Sequence, residues 1–145
     1  MSYSTCENAL ETIIKQVTGY SIANVTKGDY RILGHGVSKA VVLVPGAFTR
    51  NAAAESWLRT AWIANIELYV PFTGDISTIA SSIRTERQAI IDEVDKYPTL
   101  NSATGVVLAR ITGGGEPEMW VIGNKNFWKQ ILNCSIEERV VVSYA

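Results

Sequence analysis

Residues 57–70 read WLRTAWIANIELYV, and the fold turns on this stretch. Leu58, Trp62, Ala64, Ile66, Leu68 and Val70 fall on one side of a two-residue repeat, with Arg59, Asn65, Glu67 and Tyr69 on the other. That alternation belongs to a strand with one face against a core. A run of about fourteen residues at ~3.3 Å each reaches ~46 Å, where strands commonly span ~17–20 Å. Part of this strand is therefore expected to leave the domain body.

Downstream, Pro71 and Gly74 end the strand and Asp75 offers a helix N-cap. Ile76, Ile79, Ala80, Ile83, Ile90, Val94 and Tyr97 then share one helical face as far as Pro98. At ~1.5 Å per residue this helix would be ~34 Å long, enough to cover one face of a sheet. Upstream, AVVLV at residues 40–44 is an unbroken apolar run stopped by Pro45 and Gly46, which suits a short strand covered on both faces. Residues 47–55 read as a connecting loop with Arg50 and Asn51 near its tip.

The two ends are plainer. Ser4 and Glu7 have capping-box spacing, and Cys6, Leu10, Ile13, Ile14 and Val17 recur at helical intervals until Gly19. Gly28, Gly34 and Gly36 punctuate residues 20–36, which predict a loop with a short strand at about 30–33. Residues 103–111 predict a strand, 112–118 a glycine-rich turn, and 119–122 the return of a hairpin. The last strand, 127–143, sets Leu132, Cys134, Ile136, Val140 and Val142 on one side, and Glu137–Glu138 marks a bend or bulge. The predicted class is α+β, with one mixed or antiparallel sheet packed by two helices in the order α-β-β-α-β-β-β. A long strand or hairpin extends from the body, and residues 1–145 form a single domain.

Composition narrows the function. At 145 residues, 47% hydrophobic and 19% charged, the chain has the usage of one soluble domain with one core. Thirteen basic and fourteen acidic residues give a net charge of −1 without like-charge blocks, which argues against a partner held by its phosphates. Cys6 and Cys134 lack zinc-site spacing and read as free, buried thiols. The first sixteen residues lack a signal peptide's apolar run, and no stretch approaches the ~20 apolar residues that span a bilayer.

Catalytic candidates fail on context. His35, the only histidine, lies between Gly34 and Gly36, a poor mount for an acid–base group. Gly113-Gly114-Gly115 precedes Glu116-Pro117-Glu118, whose carboxylates would repel a phosphate. Asp92, Glu93 and Asp95 are spread around a helix rather than converging on a metal, and Arg84 and Arg87 read as a solvated stripe. The chain is thus expected to be no enzyme and to need no cofactor. Trp57, Trp62, Trp120 and Trp128 lie in or beside predicted strands, where tryptophan is core or an interface anchor. Trp57, on the polar side, is a candidate inter-subunit contact with Arg59, Asn65, Glu67 and Tyr69.

The stretch GDYRILGHGVSKAVVLVPGAFTRN at 28–51, the long strand WLRTAWIANIELYVPF at 57–72, the long helix after Asp75 and the closing ERVVVSYA carry a resemblance. In layout the chain resembles the tail terminator, or tail completion, proteins of long-tailed bacteriophages. The resemblance implies a homo-oligomeric ring, usually a hexamer, on the end of the tail tube. Such a ring stops tube growth and provides the surface for head connector proteins. It further implies DNA passing through the ring without specific binding, no membrane, and a place in the virion tail or neck after assembly in the host cytoplasm. A strand reaching past its own sheet fits, since a neighbour can satisfy its backbone groups. Arg50 and Asn51, with Gly113, Gly114 and Gly115, are the candidate tail- and head-contact loops. The alternatives are a head-completion or neck connector subunit, a tube subunit, or a small non-enzymatic binding module.

Overall fold

The computed structural model describes residues 3–34, 39–54, 57–72, 75–103, 105–122 and 125–141, with the side chains at 51–54, 57, 140 and 141 outside that description. His35 and Val142 lie outside the described residues. The elements are α1 (Tyr3–Ile14), β1 (Val25–Lys27), a 3₁₀ turn (Tyr30–Gly34), β2 (Ala40–Ala54), β3 (Trp57–Pro71), α2 (Ile76–Asp95), β4 (Val106–Gly114), β5 (Glu118–Ile122) and β6 (Lys125–Val141). The α+β class holds, with two helices on a mixed six-stranded sheet of order β1-β2-β3-β6-β4, and β5 also paired to β6. The first helix stops at Ile14 rather than running to Gly19, although Val17 stays buried. Where a short strand was expected, residues 30–34 form the 3₁₀ turn, and β1 appears earlier, parallel to β2.

Alternation on β3 does what the sequence implies at its helix side. Ala64, Ile66, Leu68 and Val70 join Val41 and Leu43 of β2, Leu132, Cys134 and Ile136 of β6, and the inner faces of both helices in one core. Cys6, Leu10, Ile13 and Ile14 come from α1, and Ile83, Ile90 and Val94 from α2. The Asp75 side chain accepts from the Thr78 backbone N–H at 2.8 Å, capping α2 and holding the Asp75 carboxyl below its ordinary range. The opposite face has its own smaller cluster of Leu33, Ala40, Val42, Tyr69 and Phe127. AVVLV is thus buried from both sides over Ala40 to Leu43, as an unbroken apolar run should be.

Three expectations are corrected. First, residues 47–54 are strand rather than loop: β2 continues to Ala54, pairing Arg50 with Thr60 and Asn51 with Arg59. A bulge between Pro45 and Phe48 absorbs the interruption that Pro45-Gly46 signalled, so the chain bends without leaving the sheet. Second, β5 does not return along β4. Both pair antiparallel with β6, β4 against residues 132–138 and β5 against 125–129, so they are two pieces of one edge. Third, Glu137–Glu138 carries no break in the β3–β6 ladder, which runs unshifted from Trp57↔Val141 to Pro71↔Phe127. The irregularities are on β4 instead, one between Val106 and Leu108, opposite Glu138 and Glu137, and one between Ile111 and Gly113.

Candidate subunit-contact surfaces

β3 itself is no edge. Its backbone is flanked by β2 from Tyr69 to Trp57 and by β6 along its whole length, so its N–H and C=O groups are satisfied within the chain. The expectation that this strand offers unpaired groups to a neighbour is therefore overturned. The overlong element is the β2–β3 hairpin, and its open side is β2. β1 covers only Val41 to Leu43, and among the described residues no strand pairs with the outer side of residues 44–54. Beyond Leu43 the strand leaves the core: Val44 is half-buried, and Pro45, Ala47, Phe48, Thr49 and Arg50 are exposed. Phe48 is 58% exposed, its ring 5.2 Å from that of Trp62 on the helix side. Among the described side chains Thr60 is the last buried one of β3 on the way to the tip. At ~3.3 Å per residue, the hairpin runs ~10 Å past it.

The outward face of β3 divides in two. Arg59 is exposed, opposite Arg139 in register, and Asn65 is half-buried opposite Asn133. Glu67 and Tyr69, by contrast, are buried at 6% and 0% exposure. The reason is local: the 3₁₀ turn, Phe127 and Lys129 close over this end of the open face, so alternation there no longer separates inside from outside. The Glu67 carboxylate accepts from the Tyr69 hydroxyl at 2.8 Å and the Tyr30 hydroxyl at 2.9 Å, and it faces the Lys129 ammonium at 3.6 Å. These side chains are committed to an internal network. Trp57 takes its place in the ladder between Ala54 and Val141, and its side chain, like that of Asn51, is outside the described ones.

Gly113 and Gly114 are the end of β4 rather than part of a turn, and Gly115 begins the short connection to β5. Gly113 and Gly114 pair with Asn133 and Leu132, and the Gly115 N–H donates to the Ile131 carbonyl at 2.9 Å. Gly114 is needed where it stands: a Cβ there would lie 2.6 Å from the Ile131 carbonyl oxygen. Beside it, a shallow groove of about 350 Å³ runs between α2 and the edge, lined by Arg87, Ile91, Ile111 and Leu132.

Sequence reasoning passed over the apolar surface on this second edge. On β5, Met119, Trp120 and Val121 are 49%, 39% and 61% exposed, and Glu116 and Glu118 beside them are exposed too. EMWVI looks like an ordinary inner return strand. Only its position outside β6, with no further strand beyond it among the described residues, makes its side chains surface. Trp120 is held on the open face by the Lys129 ammonium, 4.1 Å from its ring centre.

Where α1 meets the sheet, buried Cys6 and Glu138 lie beside half-buried Trp62. The Trp62 indole N–H donates to Glu138 Oε2 at 3.1 Å, and the Cys6 thiol donates to the same oxygen at 3.8 Å. Burial and the Glu138 carboxylate push the Cys6 thiol up to about 11, and burial pushes Cys134 up to about 12. These thiols are held in the protonated state and are free. Among the described residues no three His, Cys, Asp or Glu side chains are placed to hold a metal ion. No helix among them is long and apolar enough to cross a membrane. No protein-family model matches the chain, and no curated protein matches it.

Proposed function

We propose that this chain is a tail terminator subunit of a long-tailed bacteriophage, assembling as a ring on the end of the tail tube. The single observation that supports this reading is the outer edge of β2. On the side away from β3 it leaves residues 44–54 without a strand partner among the described residues, on a sheet otherwise paired at its centre. A long edge with exposed apolar residues is a standing invitation to another strand, and a monomer that worked alone would be expected to cover it. A ring gives each copy such an edge and each neighbour the means to cover it. Stopping polymerisation then needs only that the ring match the tube on one axial face and refuse a further tube ring on the other. No bond is made or broken, so the proposal includes neither a catalytic residue nor a cofactor, and DNA passes the ring without specific contacts.

The test is electron microscopy of purified protein mixed with bare tail tubes. A cap at one end, with tubes that no longer elongate when tube protein is added, is the expected result. Particles assembled without the protein should carry overlong tails. Full heads lacking tails beside tails of normal length would assign the chain to the neck instead.

A further inference from the structure

We infer that the partner of the β2 edge is the β4–β5 edge of a second copy of this chain, joined head to tail. This rests on the ring reading above and specifies the surface that the ring would use. The two edges lie on opposite sides of the same sheet. β2 and β6 each run antiparallel to β3, and β4 and β5 each run antiparallel to β6, so the two edges run in opposite directions. A neighbour placed alongside, with its helices on the same side, therefore brings β2 against β4–β5 as an antiparallel pair, the more stable of the two ladders. Two different edges meeting make a heterologous contact, which closes into a ring where the rotation permits.

The side chains agree with the backbone. Phe48 is on the helix side of the sheet with Trp62, and Met119 is on that same side in register with Trp128, so in a continued sheet both belong to one apolar row. Phe48, Met119 and Val121 are among the largest exposed hydrophobic side chains of the described residues, and this pairing would cover them together. Charge is complementary in sign as well, with Arg50 exposed on the β2 edge and Glu116 exposed in the β4–β5 connection. The useable length is set by the chain's own obstacles. Pro45 has no N–H to give and the bulge follows it, so the ladder starts at about Phe48. On the receiving edge the Ala109 N–H is already bonded to the Pro98 carbonyl at 2.6 Å and β4 has a bulge between Ile111 and Gly113, which directs the neighbour to the stretch from Gly113 onward. The register is therefore staggered, as closure of a sheet into a ring requires.

The experiment uses the full chain with Thr49→Cys and Glu118→Cys, both on the open face, separately and together, treated with a short bis-maleimide, while the buried native thiols stay unreactive. The double variant is expected to give a ladder of covalent dimers, trimers and higher species, and each single variant none. Phe48→Lys, a change at an exposed position, should lower self-association at least tenfold by sedimentation while leaving the circular dichroism spectrum unchanged. Covalent dimers from Thr49→Cys alone would mean that β2 pairs with β2, and would overturn the inference. So would a chain that caps tail tubes without any ladder, which would leave the terminator reading standing. A chain that neither caps tubes nor cross-links at any concentration would remove both.

Discussion

The Lys129 ammonium lies 3.6 Å from the Glu67 carboxylate, on adjacent strands, with each side chain under a tenth exposed. Two tyrosine hydroxyls bond the same carboxylate oxygen, and the aromatic faces of Trp120 and Tyr69 flank the ammonium. Removing one member strands the others in a dry environment. Glu67→Ala should therefore cost about 3–5 kcal/mol, the usual penalty for leaving a buried charge alone. A drop in melting temperature of about 10 °C or more should accompany it. Glu67→Gln with Lys129→Met removes both charges and keeps an acceptor for the tyrosines, so it should recover most of that loss. Thermal melts of the three chains decide the matter. Equal losses in single and double variants would mean that packing, not charge, holds this end of the sheet.

At the other end, Glu138 is fully buried and receives the Trp62 indole N–H, yet its second oxygen has no partner among the described groups. Trp62→Phe keeps the ring and removes the donor. The carboxylate is then left with only the weak thiol contact from Cys6, and the loss should be about 1–3 kcal/mol, read from the urea midpoint. Because α1 is docked through this corner, hydrogen exchange along residues 3–14 should speed up more than exchange in α2. Uniform acceleration would show that the corner does not hold the helix locally.

Gly113 and Gly114 are adjacent, paired in the same strand, and should behave differently. A Cβ on Gly113 meets nothing within 4 Å, while one on Gly114 lies 2.6 Å from the Ile131 carbonyl oxygen and 3.2 Å from a Leu132 methyl. Gly113→Ala should be neutral to within ~0.5 kcal/mol. Gly114→Ala should cost about 1–3 kcal/mol, since the backbone must shift to relieve the overlap. It should also loosen the β4–β6 junction, measured as faster amide exchange at Gly115.

Much of the architecture was legible because periodicity and punctuation agree over long segments. Residues 57–70 alternate, Asp75 caps, and residues 76–95 keep a helical stripe, so the central strand and its covering helix follow from residue types alone. What could not be read is what depends on a neighbour. Pro45-Gly46 looks like the end of a strand, and becomes a bulge only because β3 is long enough to keep pairing with Phe48 and Arg50 beyond it. Glu67 and Tyr69 look outward on a two-residue repeat, and are inside only because the 3₁₀ turn and Phe127 close over them. The candidate surfaces follow the same logic. Arg50 lies in strand rather than loop and is exposed there, whereas Phe48, Met119 and Val121 are surface only because the sheet order places them at edges.

The weak acids of this chain fix the direction of its pH dependence. Burial raises Cys6 from 9.0 to about 11 and Cys134 from 9.0 to about 12, desolvation and the bond to Glu67 raise the more exposed Tyr30 from 10.0 to about 12, and Tyr69 and Tyr20 are raised further still. In the unfolded chain these groups release protons near their ordinary values, while the folded chain holds them. Above pH ~9 the unfolded state therefore binds fewer protons than the native state, and stability falls as pH rises. The contribution is complete below pH ~9 and is lost progressively through the raised values. Urea midpoints should be flat from pH 7 to 8.5 for these groups and decline steadily from 9 to 11. Cys134→Ala, which removes the thiol at a fully buried site, should lower the midpoint at pH 8 but flatten the decline between 9 and 11. Against the same background, a thiol reagent at pH 8 should label neither cysteine in the folded chain and both in urea. Rapid labelling without urea, or a decline as steep in Cys134→Ala as in the parent, would mean that the thiols reach solvent and do not carry the alkaline limb.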